Sequence, residues 1–271
     1  MNSGRSSAVR HAKAFVGSCF QAGESKWTVR KGRRIARRLW AAGVRLLGRD
    51  DLTGSRIHRR KDLVRLGSAS CSWVVPSSLL DEGCVCCCVG CGEDVSFDAA
   101  LVHDYGCQVV ALDPTPRAIA HVSQASVGWP GFTFIPAGVW VEDATMRFYA
   151  PRAREHVSHS ILNIQATDEY FEAPVRRLGT VLAELGHTDV TLVKLDIEGA
   201  EYSVIESMLE DGISPTVLLV EYSEYHWPQG PGFRSRITDS ANALRRHGYT
   251  IANVSNGSDY TFVKQGTLGS R

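Results

Sequence analysis

The chain has 271 residues, of which 44% are apolar and 22% charged, and its 30 Lys and Arg nearly balance its 29 Asp and Glu. That length supports one sizeable hydrophobic core plus an extension rather than two full domains. No stretch approaches the roughly 20 apolar residues that cross a bilayer, and MNSGRSSAVRHAKAFVGSCF lacks the apolar run and cleavage site of a signal peptide, so a soluble, cytoplasmic protein is expected.

The near-neutral balance conceals an asymmetry. Residues 1–70 carry most of the arginines against only Glu24, Asp50, Asp51 and Asp62. This is a basic N-terminal extension, followed by a more acidic domain over 71–265. Within the extension, residues 1–25 lack apolar periodicity and are expected to be a mobile tail. Over 26–48, Val29, Ile35, Leu39, Trp40, Val44 and Leu47 recur near helical spacing, with arginines on the remaining face. That pattern predicts a basic amphipathic helix, which packs on the domain or makes peripheral contact with an anionic membrane. No zinc-finger, helix-turn-helix or aromatic-interleaved basic motif points to nucleic acid.

From residue 84 onward, strand and helix patterns alternate. CVCCCV (84–89) predicts a buried strand, 95–106 a helix, CQVVAL (107–112) a strand, 115–126 a helix and FTFIP (132–136) a strand. The stretch 140–172 reads as a β-rich excursion, with MRFYA and HSILN as its best strands. Then follow a helix at 178–186, TLVKL (191–195), a helix at 199–212, TVLLVE (216–221) and a helix at 237–248. YTIANV and DYTFVK close the chain as a hairpin about Asn256-Gly257. Near-continuous apolar strands alternating with helices predict an α/β, Rossmann-like fold, its mainly parallel sheet covered by helices on both faces and ending in an antiparallel hairpin.

Five cysteines crowd into residues 84–91, giving two back-to-back CxxC spacings. Four thiolates could converge on zinc only if the predicted strand were destroyed, so the cysteines are read as reduced core residues and no metal site is assigned to them.

Gly90-Cys91-Gly92 lies between a strand and a helix, where glycines let the backbone turn sharply beside a ligand. Asp113 closes the next strand, placed to accept hydrogen bonds from a ribose diol. A dinucleotide fingerprint wants a third glycine where this chain has Val95, which disfavours an NAD-dependent oxidoreductase.

The run VGCGEDVSFDAALVHDYGCQVVALDPTPRAI, together with VKLDIEGAEYSVIESML and LLVEYSEYH, resembles the FkbM-type methyltransferases over residues 70–265. The resemblance implies a Rossmann-like fold, S-adenosylmethionine as methyl donor, and a hydroxyl oxygen of a small molecule or sugar as acceptor. By the same resemblance Gly90 and Gly92 form the cofactor loop, Asp113 holds the ribose, and Asp196, Glu198 and Glu201 belong to the second motif. Many such enzymes carry an acid two positions before the first glycine; here that place is Cys88, so Glu93 or Asp94 would face the methionine ammonium instead. In the methyltransferase strand order the carboxyl ends of the strands closing at Asp196 and Glu221 reach the rim beside the loop.

Asp196 and Glu221, supported by Glu198, are therefore the expected catalytic carboxylates, sharing a proton or holding a divalent cation. His226 is an alternative base. Glu201 reads first as a helix-terminal carboxylate, and His159 and Trp73 are further candidates for substrate contact. The competing functional reading is a catalytically idle binding module that keeps the fold.

Overall fold

A computed structural model describes residues 43–44, 46–153 and 156–266. The predicted tail and most of the predicted amphipathic helix lie outside these residues. The chain divides into two units, Met1–Ile57 and His58–Arg271. In the first, a tight turn is closed by Asp50, whose Oδ2 accepts from the Thr53 amide at 2.7 Å and the Thr53 hydroxyl at 2.6 Å.

The second unit begins with a hairpin, β1 (Leu63–Gly67) and β2 (Ser72–Pro76). It spans the boundary expected at residue 70, and its five-residue strands are too short for their apolar pattern to announce. The alternation then unfolds as β3 (Val85–Val89), α1 (Ser96–His103), β4 (Gln108–Leu112), α2 (Pro116–Ala125) and β5 (Phe132–Ile135). Three strands follow, β6 (Gly138–Trp140), β7 (Ala144–Tyr149) and β8 (Tyr170–Arg177). The remainder is α3 (Leu178–Glu184), β9 (Leu192–Leu195), α4 (Glu201–Glu210), β10 (Val217–Glu221), α5 (Phe233–Arg246), β11 (Tyr249–Ser255) and β12 (Asp259–Lys264).

Seven strands form the main sheet in the order β11-β12-β10-β9-β3-β4-β5. β10, β9, β3, β4 and β5 are parallel, and the hairpin β11–β12 joins antiparallel through β12. The strands that read as continuous apolar runs occupy the centre, where both sheet faces are covered: Cys86, Cys87, Val109, Leu192, Val193, Leu218 and Leu219 are all fully buried. Cys86, Cys87 and Cys88 thus serve as small core residues of β3.

The β-rich excursion is a separate three-stranded sheet, β6-β8-β7, and it corrects the sequence reading in two places. HSILN is not a strand: Ser160 makes one isolated bridge to Tyr149. Its hydroxyl is engaged instead by the Glu198 carbonyl at 2.6 Å and the Leu162 amide at 3.1 Å, a local bonding choice that competes with a ladder. The central strand is β8, where Pro174 argues against a strand. Pro174 lies one residue before β6 begins to pair, at Val175, so on that side no ladder amide is required of it. Helix α4 starts two residues later than expected because Glu198 (φ +52°) and Gly199 (φ +104°) are left-handed, and α5 starts four residues earlier, at Phe233.

Candidate functional site

The parallel strands end together at one rim, and a cavity of about 620 Å³ opens there. It is lined by Gly90, Gly92, Glu93, Asp94, Asp113, Asp196 and Glu198 of the expected residues, together with His159. Glu221, His226 and Trp73 do not line it. Trp73 is 5% exposed and packs in the core beside Cys86 and Leu192, which removes it as a substrate contact.

The glycine loop is held by backbone and charge together. Gly90 has φ +77°, and a Cβ built on it would lie 1.8 Å from the Asp196 carbonyl oxygen, so the end of β9 crosses directly over the loop. Next to it, Gly92 donates its amide to Asp113 Oδ2 at 2.9 Å, while Asp113 Oδ1 accepts from the Thr115 amide at 2.8 Å and hydroxyl at 2.6 Å. Asp113 therefore anchors the loop and the start of α2, and Oδ2 keeps capacity for a further donor.

The two acids after the loop are engaged by the chain itself. Glu93 pairs with Arg117 at 2.6 Å. Asp94 accepts from the Ser96 amide and hydroxyl on one oxygen and from the Ser68 and Ser70 hydroxyls on the other. Burial opposes its charge, but the bonds from Ser68 and Ser96 outweigh that and hold its carboxyl below the usual range. Asp94 thus ties the β1–β2 turn to the first turn of α1.

At the end of β10, Glu221 is hydrogen-bonded to Asp196, and the Asp196 charge, followed by burial, raises the Glu221 carboxyl far above its ordinary range. His226 Nε2 lies 3.6 Å from Glu221 Oε1 and 3.1 Å from Ser258 Oγ. Burial, with the Asp196 charge behind it, pushes Glu198 up to about 8. Its left-handed backbone is uncommon for a residue with a side chain and marks a corner the surrounding structure enforces. Glu201 is fully buried and accepts from the Gly199 amide at 2.9 Å and the Ser223 hydroxyl at 2.7 Å, so it locks the corner after Glu198. Among the described residues no group of three His, Cys, Asp or Glu side chains is arranged to hold a metal ion.

Two residues escaped the sequence reading. Lys194, the lone charge inside the apolar strand TLVKL, is fully buried, with Nζ 2.6 Å from the Gly90 carbonyl and 3.3 Å from Asp196 Oδ2. Asp98, on α1, is also fully buried; its carboxyl is pushed up to about 6, chiefly by burial, and is hydrogen-bonded to Cys88. Asp98 does not line the cavity, so the place of Cys88 is not taken by an acid facing it.

The raised carboxyls have a consequence for stability. Asp98 (about 6), Glu201 (about 7) and Glu198 (about 8) hold protons in the folded protein that the unfolded chain releases near its ordinary values of 3.8–4.5. Their stabilising contribution is complete below those ordinary values and is lost as pH rises through 6–8. Each fully buried group adds a slope of up to about 1.4 kcal/mol per pH unit. The melting temperature should fall from pH 5 to pH 8, and Glu201→Gln should flatten that fall; a melting temperature rising across this window would contradict these protonation states.

The strand order and the rim cavity define the class: a Rossmann-like methyltransferase fold with its ligand site at the carboxyl ends of the parallel strands. Within that class the chain belongs to the FkbM methyltransferase family, whose domain model matches residues 88–251, more than half of the chain. It is 26% identical over 160 residues to a rat protein described as probable methyltransferase-like protein 24, covering 59% of this chain and 36% of that one. The human counterpart is 25% identical over 150 residues, covering 55% and 34%. The chain therefore spans about a third of the length of the curated relatives it matches. Among solved structures, fibrillarin from Aeropyrum pernix, in complex with natively bound S-adenosyl-L-methionine, overlays with a TM-score of 0.38 at 9% identity, covering 68% of this chain and 66% of that one.

Proposed function

We propose that the chain transfers a methyl group from S-adenosylmethionine to a hydroxyl oxygen of a small molecule or sugar. The observation that carries this reading is the meeting of two motifs at one point: the Asp196 backbone covers the Gly90 turn while Asp196 itself faces the cavity. The residues fit the methyl donor. A glycine turn with no room for a Cβ and Asp113 at the end of the adjacent strand form an adenosine cradle, and Val95 in place of a third glycine disfavours a dinucleotide.

When bound, the donor supplies an electrophilic methyl on a positive sulfur. The chain's task is to place an oxygen lone pair in line with the S–CH3 bond and take up the hydroxyl proton. A donor bound there would give up its methyl to the oxygen with the electron pair of the C–S bond left on sulfur, and Asp196 would take up the acceptor proton. Glu221, sharing a proton with Asp196, holds the pair at one proton and one charge. Glu198 borders the same cavity and supports the pair. The single negative charge of the Asp196–Glu221 pair at the rim disfavours phosphate-bearing acceptors and favours a neutral polyol. The reduced thiols of β3 suit the cytoplasm, and the basic segment 26–48 is proposed as a peripheral membrane contact. Among the described residues no helix is long and apolar enough to cross a membrane.

Incubation with methyl-labelled S-adenosylmethionine and a panel of polyols, sugars, amines and carboxylic acids tests the reading. Label should enter a hydroxyl compound as a base-stable ether; transfer to amines or to carboxylates alone would overturn the acceptor class, and binding of the donor without transfer to any extract fraction would favour the idle module.

A further inference from the structure

Burying a lysine in the middle of a sheet is expensive unless its ammonium is paired and hydrogen-bonded. Lys194 satisfies that condition in a particular way. It sits on β9, is 1% exposed, and its stem passes the Trp73 ring, with Nζ 5.6 Å from the ring centre. Its Nζ donates to the carbonyl of Gly90, the first residue of the donor turn, at 2.6 Å, and stands 3.3 Å from the carboxylate of Asp196 on the acceptor side. Other groups face it from the elements packed around β9: Asp98 from α1, Cys88 from β3 and Cys71 from the β1–β2 turn. Burial works against its charge; the Asp196 carboxylate beside it outweighs that and raises it well above its ordinary value.

We propose that Lys194 is the positioning residue of the reaction: one ammonium fixes the Gly90 carbonyl of the donor loop and the Asp196 carboxylate together, and supplies the positive charge against which the Asp196–Glu221–Glu198 cluster is set. The inference rests on the methyl-transfer reading for its purpose, while its geometry stands on the contacts of Lys194 alone. A lysine with a merely structural role would hold the strand in place and leave the carboxyl cluster unaffected on replacement. Here the cluster loses a close, fully buried cation, so it should gain a proton.

Lys194→Met and Lys194→Gln separate the two duties. Met removes both the hydrogen bond to Gly90 and the charge, whereas Gln removes the charge and keeps a donor. In the full chain, Lys194→Met should weaken binding of both S-adenosylmethionine and S-adenosylhomocysteine roughly 10- to 150-fold, while Lys194→Gln stays within a few-fold of wild type. In both variants carbon-13 NMR of labelled Asp and Glu side chains should show about one additional carboxyl proton at neutral pH, and Lys194→Arg should restore the native titration. If Lys194→Met does not fold, the carboxyl titration of Lys194→Gln decides. Folded variants with wild-type ligand affinity and an unchanged carboxyl titration would overturn the proposal. If the wild-type chain binds neither ligand, the methyl-donor reading falls, and the titration still decides whether Lys194 sets the charge of the cluster.

Discussion

Gly90→Ala should abolish measurable binding of S-adenosylmethionine and destabilise the domain. Two penalties coincide. The residue is left-handed at φ +77°, which costs a side-chain-bearing residue about 1–2 kcal/mol, and the added methyl would sit 1.8 Å from a backbone oxygen. Because that oxygen belongs to Asp196 at the end of β9, relief requires β9 or the loop to move, and overpacking of this kind costs about 1–3 kcal/mol more. The sum, about 2–5 kcal/mol, corresponds to a melting temperature lowered by roughly 5–20 °C for a domain of this size. The displaced Gly90 would also lose the bond from Lys194 and shift Asp196, so donor and acceptor sides would be damaged together. Gly92→Ala is the control: the nearest atom to its added methyl is Val157 Cγ2 at 3.6 Å, an ordinary contact, and only the conformational penalty remains. Calorimetric melting and ligand titration of the two variants should rank Gly90→Ala far below Gly92→Ala; equal behaviour would mean that the crossing of the loop by β9 is not what demands glycine.

The second large effect is expected at the carboxylate pair. Asp196→Asn and Glu221→Gln should each lower turnover by about 10²–10⁴ while leaving donor affinity within a few-fold, because the proton is taken up only in the transition state. The two variants should not be equivalent. Asp196 faces the cavity and Glu221 stands behind it, so Glu221→Gln acts through Asp196 and should move the pH profile as well as the rate. Measurement of kcat and KM across pH, with the acceptor found by label transfer, checks this. Full turnover in both variants would remove the pair from the mechanism and leave Glu198 or His226 as the base.

Much of this arrangement was readable from the amino-acid sequence, for physical reasons. Apolar runs such as CVCCCV and TVLLVE can only be strands buried on both faces, and Asn256-Gly257 announces a hairpin; the strand order itself came from family resemblance. Gly90, Asp113 and Asp196 were legible because each closes such a strand, where ligands bind in a parallel sheet. What escaped depends on contacts distant along the chain. Glu221 was expected beside Asp196, but that it stands behind Asp196 and does not line the cavity is recorded by no spacing. Asp94 looks like a free acid until the β1–β2 turn brings Ser68 and Ser70 against it. Trp73, an aromatic with a polar edge, reads more readily as core than as a contact, and the β1–β2 hairpin places it in the core. Lys194 was the one missed residue with a visible signal: a single charge inside an apolar strand must be paired by something, and its neighbour two positions on is Asp196.

Isothermal titration of the full chain with S-adenosylmethionine, S-adenosylhomocysteine and NAD, repeated on Asp113→Ala, tests the central claim most directly. The account predicts one site for each adenosyl ligand and none for NAD, with affinity lowered roughly 10- to 150-fold in the folded variant through loss of hydrogen bonds to a charged group. Binding of NAD in place of the adenosyl ligands, or unchanged affinity in folded Asp113→Ala, would contradict it.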